Sequence, residues 1–286
     1  MTEHSSLVSI RNLSSPRLLS PFRYPGGKTW LVPYIRRWIA SQLRRPVEFF
    51  EPFAGGGIIS LTVASEQLAD HVTMVELDKG VAAVWRTILN GESKWLANRI
   101  VRFNLTAKTV ETTLSRHAPS LRERAFQTIL KNRVNRGGIL APGAGRLKQG
   151  ESGKGMHSRW YPQTLRKRIL DVVAVRDQIT FIQGDGLEIL RQNAQRTNAL
   201  FFIDPPYTAA GKKAGSRLYT HHELDHDELF RLTAQLSGDF LMTYDDTEEV
   251  RDLARHHNLD VRAVVMKNTH HAWITELLIG RDLGWV

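Results

Sequence analysis

The most constraining feature of the sequence is a continuous apolar run, Ala199 to Ile203, that ends in the charged residue Asp204. An apolar run of this length predicts a β-strand buried on both faces, which is typical of the parallel sheets of α/β proteins. The carboxyl ends of such strands open onto ligand sites. We therefore expect the chain to fold around a parallel sheet, with Asp204 at its functional edge.

The residues after this run carry the groups that are needed to hold a planar base. The Asp204 carboxylate can accept hydrogen bonds from an exocyclic amino group. Pro205 and Pro206 remove backbone donors and stiffen the turn, so that a backbone carbonyl can point at the same amino group. Tyr207 offers a flat face for stacking. An ordinary strand-end turn is the alternative, because Asp-Pro is a common turn opener.

The segment Asp-Pro-Pro-Tyr resembles the catalytic motif of the DNA adenine methyltransferase family, whose members modify an amino group. The resemblance implies a catalytic role for Asp204, Pro205, Pro206 and Tyr207. It also implies S-adenosylmethionine as the methyl donor, with Asp204 next to this cofactor.

Three glycines follow an earlier predicted strand, at 47–51. Gly55 to Gly57 and the apolar residues after them predict a strand, a glycine turn and a helix, where a nucleoside or amino-acid moiety can lie against bare backbone. A dinucleotide-binding turn would need a glycine in place of Ser60, so hydride chemistry is disfavoured. The spelling Phe-Glu-Pro-Phe-Ala-Gly-Gly-Gly is similar to the methionine-binding motif of the same family. This similarity implies cofactor contacts by Glu51, Pro52, Phe53, Gly55 and Gly57.

A second glycine motif lies near the N-terminus, at 21–29. Its Gly-Lys-Thr invites comparison with a phosphate-binding loop, but Phe22 stands where that loop needs its first glycine. The two glycines instead let backbone approach a ligand, Lys28 can meet a carboxylate at the start of a helix, and Tyr24 can pack on a flat ring. The segment resembles the leading motif of adenine methyltransferases, which implies cofactor contacts by Tyr24, Gly26 and Lys28.

Two more predicted strands, at 71–78 and 179–186, end in acids. In nucleotide-binding sheets an acid about twenty residues past the glycines accepts the ribose hydroxyls. The family resemblance assigns this role to Glu76, with Asp78 as the fallback or as a helix cap. It assigns Asp185 to the amino group of the cofactor's adenine, the alternative again being a helix cap. Together with Glu51 and Asp204, these acids would line one edge of a single sheet.

These patterns predict an α/β fold with a doubly wound, mostly parallel sheet of the S-adenosylmethionine-dependent methyltransferase type and a helical, basic DNA-recognition insert. Residues 1–19 are expected to form a flexible leader and 91–164 the target-recognition insert. The discontinuous catalytic domain would take 20–90 and 165–286. Strands expected at 239–244, 261–267 and 273–279 complete the sheet, the last as an antiparallel edge.

The net charge of +10 is concentrated in one segment, since Gly91 to Thr164 contain 14 Lys and Arg against 4 Asp and Glu. A neutral body with one basic segment indicates a polyanion partner, the alternative being a solvated basic face. Asn-Arg close to glycine resembles the target-recognition segment of the family, and both side chains suit bidentate reading of bases. Which of the four at 132–136 reads bases stays open, and all could neutralise phosphates only. The predicted DNA-binding residues are Asn132, Arg133, Asn135, Arg136, Arg146, Lys148, Lys154 and Arg159.

The composition excludes several other classes of protein. The chain has no cysteine, which excludes disulfides, thiolate metal sites and cysteine nucleophiles. No apolar run approaches the ~20 residues of a membrane span and no signal peptide is visible, so we expect a soluble, cytoplasmic protein. The histidines and acids at 221–227 suggest a metal cluster, but the helical spacing from Leu224 explains them and no metal is predicted.

The sequence therefore predicts a site-specific methyltransferase that modifies the N6 amino group of adenine in duplex DNA, after the base is flipped out of the helix. The alternatives are a ribosomal RNA adenine methyltransferase, a cytosine amino methyltransferase and a catalytically silent relative that only binds DNA. Double-stranded DNA is the expected partner and a monomer is favoured. A companion restriction endonuclease is left open.

Overall fold

Helices cover both faces of a central seven-stranded sheet in the computed structural model, which describes residues 18–23, 27–206, 224–267 and 273–286. The strands are β1 Glu48–Glu51, β2 His71–Glu76, β3 Ile179–Gln183, β4 Ala199–Ile203, β5 Asp239–Asp245, β6 Asp260–Lys267 and β7 Trp273–Gly280. The α-helices are α1 Val32–Ala40, α2 Ile58–Ser65, α3 Lys79–Thr87, α4 Ser93–Val101, α5 Ala107–Ser115, α6 Leu121–Val134, α7 Pro162–Val173, α8 Gly186–Asn193, α9 His226–Ala234 and α10 Glu248–His256.

The strand order confirms the predicted doubly wound, mostly parallel sheet. The order is β3-β2-β1-β4-β5-β7-β6, and the first five strands in this order are parallel to one another. The chain starts at β1, winds outward to β3, returns to the centre at β4 and winds outward the other way. β1 and β4 therefore flank the switch point of the sheet, where ligands bind in folds of this kind.

The position predicted for the last strand is wrong. β7 is antiparallel, as expected, but it lies between β5 and β6 and leaves β6 at the edge. The residues explain this order: Leu277 to Ile279 are fully buried, as an interior strand requires, whereas Arg262 and Val265 of β6 are exposed.

Both faces of the sheet are packed with apolar side chains. In β4, Leu200 and Phe202 face the layer that contains α1 to α7, whereas Phe201 and Ile203 face the layer that contains α8 to α10. All four side chains are at most 3% exposed. Burial of each such side chain contributes about 1.5–3 kcal/mol, so β4 is held firmly and the residue that follows it is placed precisely.

The helices of the basic segment belong to the first of these layers. Leu96 and Ile100 of α4 and Phe126 and Ile129 of α6 are fully buried in the same apolar cluster as Trp85 of α3. The segment predicted as a recognition insert is therefore built on helices that share the core of the sheet. Its role in recognition stays a prediction.

The N-terminal segment is anchored from residue 19, which lies inside the predicted leader. Leu19 is 8% exposed, and the Ser20 hydroxyl donates to the Gly56 carbonyl at 2.5 Å. Across the ranges given above, no helix has the length and apolar character to cross a membrane.

Gly57 is a residue of the glycine turn at which a side chain does not fit. It has φ +62° at the start of α2, and an added Cβ would lie 2.5 Å from Met74 Cε and 3.0 Å from Trp85. We expect Gly57→Ala to lower the free energy of unfolding by about 2 kcal/mol or more, through left-handed strain and overpacking. Chemical denaturation measures this.

Gly145→Ala is the matched control for Gly57→Ala, because Gly145 has no positive φ and an added Cβ there meets nothing within 4 Å. Equal stability of both variants would contradict the packing described for the turn.

Candidate active site

A single pocket lies at the carboxyl ends of the parallel strands. Glu51 and Glu76 are the last residues of β1 and β2, whereas Asp185 and Asp204 lie just after β3 and β4. All four acids line this pocket. The convergence expected from the sequence is therefore observed. The cofactor-binding residues predicted from sequence that the structure describes all line the pocket: Lys28, Glu51, Pro52, Phe53, Gly55, Gly57, Glu76, Asp185 and Asp204.

The structure places the predicted catalytic motif at the same pocket, as far as the motif is described. Pro206 lines the pocket and Pro205 is buried beside Asp204. Tyr24, Gly26 and Tyr207 lie outside the described residues, as do the histidines at 221 and 222.

The glycine turn is held against the end of β2 by hydrogen bonds. The Gly55 amide donates to Glu76 Oε2 at 3.0 Å, and the Trp85 indole donates to the Gly55 carbonyl at 2.9 Å. The Ala54 amide donates to the Val75 carbonyl at 2.9 Å. These bonds fix bare backbone along one wall of the pocket.

Two of the acids are deeply buried, and burial changes their proton affinity. Burial raises the pKa of Glu51 to about 8, although the Ser60 amide donates to Glu51 Oε2 at 2.9 Å and opposes the rise. Burial likewise raises the pKa of Glu76 to about 7, against the amides of Asp78 and Gly55 that donate to it. A ligand rich in N–H and O–H donors would stabilise the charged form of these buried carboxyl groups through hydrogen bonds.

The helix caps considered as alternatives are present. The Asp78 carboxylate accepts the amides of Gly80 and Val81 at the start of α3. The Asp185 carboxylate accepts the Leu187 amide at 2.9 Å at the start of α8, while Asp185 also lines the pocket. Asp78 and Asp185 thus each combine a helix cap with a position at the pocket.

In the part of the chain that the structure describes, two donors from distant segments hold Asp204. Its Oδ1 accepts the Thr243 hydroxyl at 2.7 Å and lies 3.0 Å from Lys28 Nζ. Lys28 Nζ also donates to Glu276 Oε1 at 2.6 Å. Burial alone would lower the pKa of Lys28, but the Asp204 and Glu276 carboxylates outweigh burial, so the pKa is raised and the ammonium stays charged. The carboxylates that Lys28 meets are thus those of the protein itself.

Sequence reasoning missed Thr243 and Glu276 as site residues. Thr243 lies inside the apolar strand β5, where a hydroxyl gives little signal. Glu276 stands among the apolar residues of β7, and an acid in such a strand is the signal that could have found it.

Three of the residues predicted to read bases are inside the fold. The Asn132 side chain accepts the Arg23 amide at 2.9 Å and donates to the carbonyls of Arg23 and Gly138, each at 2.7 Å. Arg133 donates to the Pro21 carbonyl, and Asn135 donates to the Ile139 carbonyl at 2.7 Å. Their exposed fractions are 0%, 6% and 3%, respectively. They hold backbone in this structure, and we correct the expectation that they read DNA.

The other predicted DNA-binding residues are accessible. Arg136, Arg146, Lys148 and Lys154 are exposed and Arg159 is half-buried. Arg146 also donates to Asn135 Oδ1 at 2.5 Å, which joins 135 to 146 across the base of a loop. Gly138 and Leu140 of this loop line the pocket, so the loop connects the exposed basic residues to the site.

The fold and the site together define an α/β protein of the S-adenosylmethionine-dependent methyltransferase type. Residues 24–105 match the family model of the D12 class N6 adenine-specific DNA methyltransferases, in agreement with the family resemblance seen in the sequence. The match covers residues 24–29 of the leading glycine motif, the glycine turn and Glu76. Methyltransferase is therefore the class of enzyme to which the chain is assigned.

The solved structures that are similar to this chain include methyltransferases with different substrates. The rRNA methyltransferase aviRa from Streptomyces viridochromogenes has 14% identity and a TM-score of 0.41, over 90% of this chain and 86% of that one. The precorrin-6y C5,15-methyltransferase from Geobacter metallireducens has 8% identity and a TM-score of 0.36, over 86% and 84%. TrmK from M. capricolum, in complex with S-adenosyl-homocysteine, has 7% identity and a TM-score of 0.38, over 88% and 68%. No substrate follows from these similarities. No curated protein matches the chain.

Glu51→Gln should stabilise the ligand-free protein in a pH-dependent way. A carboxyl whose folded-state pKa is raised loses stability as the pH rises from its ordinary value of 4.5 to its folded value of about 8. The glutamine amide does not titrate, so the variant does not lose this stability. The difference in the free energy of unfolding between the variant and the native protein should therefore grow from pH 5 to pH 8 and reach a few kcal/mol, since one unit of pKa is worth about 1.4 kcal/mol. Thermal unfolding at several pH values measures this.

The control for Glu51→Gln is Glu48→Gln at the other end of β1, where Glu48 accepts the Thr73 hydroxyl at 2.7 Å. A stability difference between Glu51→Gln and the native protein that does not change with pH would contradict the account of Glu51.

Substitution of Asn132 and of Arg136 should have different effects on the stability of the protein. Asn132→Ala leaves buried backbone groups of Arg23 and Gly138 without partners, which should cost about 2–4 kcal/mol of stability. Arg136→Ala removes an exposed side chain and should change stability by about 0.5 kcal/mol at most. Chemical denaturation compares the two. An Asn132→Ala variant of native stability that has lost DNA affinity would restore a base-reading role to Asn132.

Proposed function

We propose that this protein transfers a methyl group from S-adenosylmethionine to the N6 amino group of adenine in duplex DNA. The observation that carries the proposal is the position of Asp204. The acid of the Asp-Pro-Pro-Tyr motif lies in the same pocket as the glycine turn, at the switch point between β1 and β4. The match of residues 24–105 to the D12 class supports the same substrate.

The groups in the pocket fit this methyl donor. Its ribose hydroxyls, its amino groups and its positive sulfonium all favour acceptors and negative charge, and the pocket offers the carboxyl groups of Glu51, Glu76 and Asp185. The bare backbone of the glycine turn lies along the pocket beside them. We assign the amino-acid part to the Glu51 and Gly55 wall, the ribose to Glu76 and the adenine amino group to Asp185. When bound, the donor supplies an electrophilic methyl group.

Asp204 and Pro205 act on the amino group of the target. The lone pair of this nitrogen is delocalised into the purine ring, so the nitrogen is a weak nucleophile. The Asp204 carboxylate and the Pro205 carbonyl accept hydrogen bonds from its two N–H groups and favour a pyramidal nitrogen whose lone pair faces the methyl group. As the N–C bond forms, the C–S bond of the donor breaks, S-adenosyl-homocysteine leaves, and the nitrogen loses one proton. The chain thus contributes positioning and electrostatic stabilisation, with no covalent intermediate.

The target base must leave the duplex to reach Asp204, because a stacked base cannot enter a pocket at the edge of a sheet. In the proposal Tyr207 stacks on the flipped base. The exposed basic residues Arg136, Arg146, Lys148 and Lys154 hold the phosphates of the duplex, with Arg159 beside them. The protein would act in the cytoplasm as a monomer on double-stranded DNA, with or without a companion restriction endonuclease.

Asp204→Ala should abolish methyl transfer and leave DNA binding largely intact, because the carboxylate acts on the amino group and not on the phosphates. Transfer from labelled S-adenosylmethionine to duplex DNA, single-stranded DNA and RNA measures activity, and filter retention of the duplex measures binding. Asp239→Asn is the matched control. Asp239 stands at the opposite end of the sheet, where it accepts the Trp38 indole at 2.9 Å.

The products of this assay separate the proposal from its rivals. N6-methyladenine in duplex DNA is the expected product. Methylated RNA, methylated cytosine, or retention of DNA without any transfer would each refute the proposed substrate or activity. Equal loss of transfer and of DNA retention in Asp204→Ala would argue against its catalytic role.

A further inference from the structure

A buried network of charged groups contacts the Asp204 carboxylate. Lys28 Nζ lies 3.0 Å from Asp204 Oδ1 and 2.6 Å from Glu276 Oε1. Lys28 is 6% exposed and Glu276 is 5% exposed. Glu276 lies on β7, opposite Asp245 of β5, so it projects from the antiparallel part of the sheet and not from the strands that carry the glycine turn. The three residues come from the N-terminal motif, β4 and β7.

The two prolines that follow Asp204 give its carboxylate no backbone donor. An aspartate at the end of a strand is usually held by the amides of the next residues, as in the caps made by Asp78 and Asp185. Pro205 and Pro206 follow Asp204 and have no N–H group. Within the described residues, side chains from other elements hold this carboxylate.

The observed donors meet this need from two sides. The Thr243 hydroxyl reaches Asp204 Oδ1 at 2.7 Å from β5, and the Lys28 ammonium reaches the same oxygen from the N-terminal motif. Both contacts act on one carboxylate oxygen, which fixes the position and the plane of the carboxylate. The Thr243 hydroxyl sits on a short side chain of a paired strand. The Lys28 ammonium, in contrast, is at the end of a long side chain with many rotamers.

Glu276 is what gives the Lys28 ammonium a defined place. The Lys28 ammonium is buried between two carboxylates, and burial of a charge is costly unless it is paired. The 2.6 Å contact with Glu276 satisfies a second donor and pins Nζ between β4 and β7. Without Glu276, Lys28 could follow Asp204 in several rotamers and the carboxylate would lose its fixed direction.

We propose that Glu276 is a positioning residue for methyl transfer, which acts on the catalytic Asp204 through Lys28. This inference rests on the proposed function, because it assigns Asp204 to the amino group of the target. Glu276 makes no contact with the reacting atoms in this role. Its effect should therefore fall on the rate of the chemical step and leave binding of both substrates nearly unchanged.

The test is a kinetic comparison of Glu276→Gln with the native enzyme. The amide keeps the shape and an acceptor oxygen but removes the charge. We expect kcat for methylation of duplex DNA to fall about 10–100-fold, because the catalytic group is misplaced. The KM values for S-adenosylmethionine and DNA should stay within about threefold of the native values, since Glu276 contacts neither substrate in this role. Asp239→Asn, which removes a charge at the other end of the sheet, should keep the native kcat.

A double-mutant cycle with Lys28→Met shows whether Glu276 acts through Lys28. If it does, Glu276→Gln should lower kcat in the native background and change it by less than about twofold in the Lys28→Met background. Should Glu276→Gln prove unstable, Glu276→Asp keeps the charge with a shorter reach and should retain more activity than Glu276→Ala.

Three results would overturn the inference. They are a native kcat for Glu276→Gln, a loss confined to KM, and the same loss of kcat with and without Lys28. A native enzyme that transfers no methyl group to DNA would instead refute the proposed function, so the two failures can be told apart.

Discussion

The structure depends on one topological constraint, the reversal of winding between β1 and β4. These strands are parallel neighbours, but the connection after β1 leads to one side of the sheet and the connection after β4 leads to the other. A reversal of this kind leaves a crevice at the carboxyl ends of the two strands, and the observed pocket lies there. The chain places its glycine turn after β1 and its Asp-Pro-Pro segment after β4, so the two share one pocket.

The pocket is costly for the fold. Glu51 and Glu76 are buried acids with raised pKa values of about 8 and about 7, and Lys28 is a buried cation between two carboxylates. A core of apolar residues alone would be more stable than such an arrangement. The large apolar layers on both faces of the sheet offset this cost, and the site concentrates it where a polar, donor-rich ligand would relieve it.

Much of the architecture could be predicted, because short-range patterns determine it. The apolar run at 199–203 gives β4 its exact bounds, and the glycines after the first strand give the turn. Side-chain roles at the recognition segment could not be predicted, since asparagine and arginine bind a backbone carbonyl as readily as a base. Asn132 is fixed by Arg23, 109 residues away in the chain. The contact between Lys28 and Glu276 spans 248 residues. The acid among apolar residues marks Glu276 as unusual, but no sequence pattern pairs it with Lys28.

The most direct test of the central claim is a calorimetric titration of S-adenosylmethionine into the native protein and into Glu76→Ala. If the acid-tipped strands and the glycine turn form one pocket for this donor, the native protein should bind it at one site per chain. Loss of a hydrogen-bonding carboxylate should weaken binding about 10–100-fold. Absence of binding heat at millimolar donor, or equal affinity of the two proteins, would contradict the account.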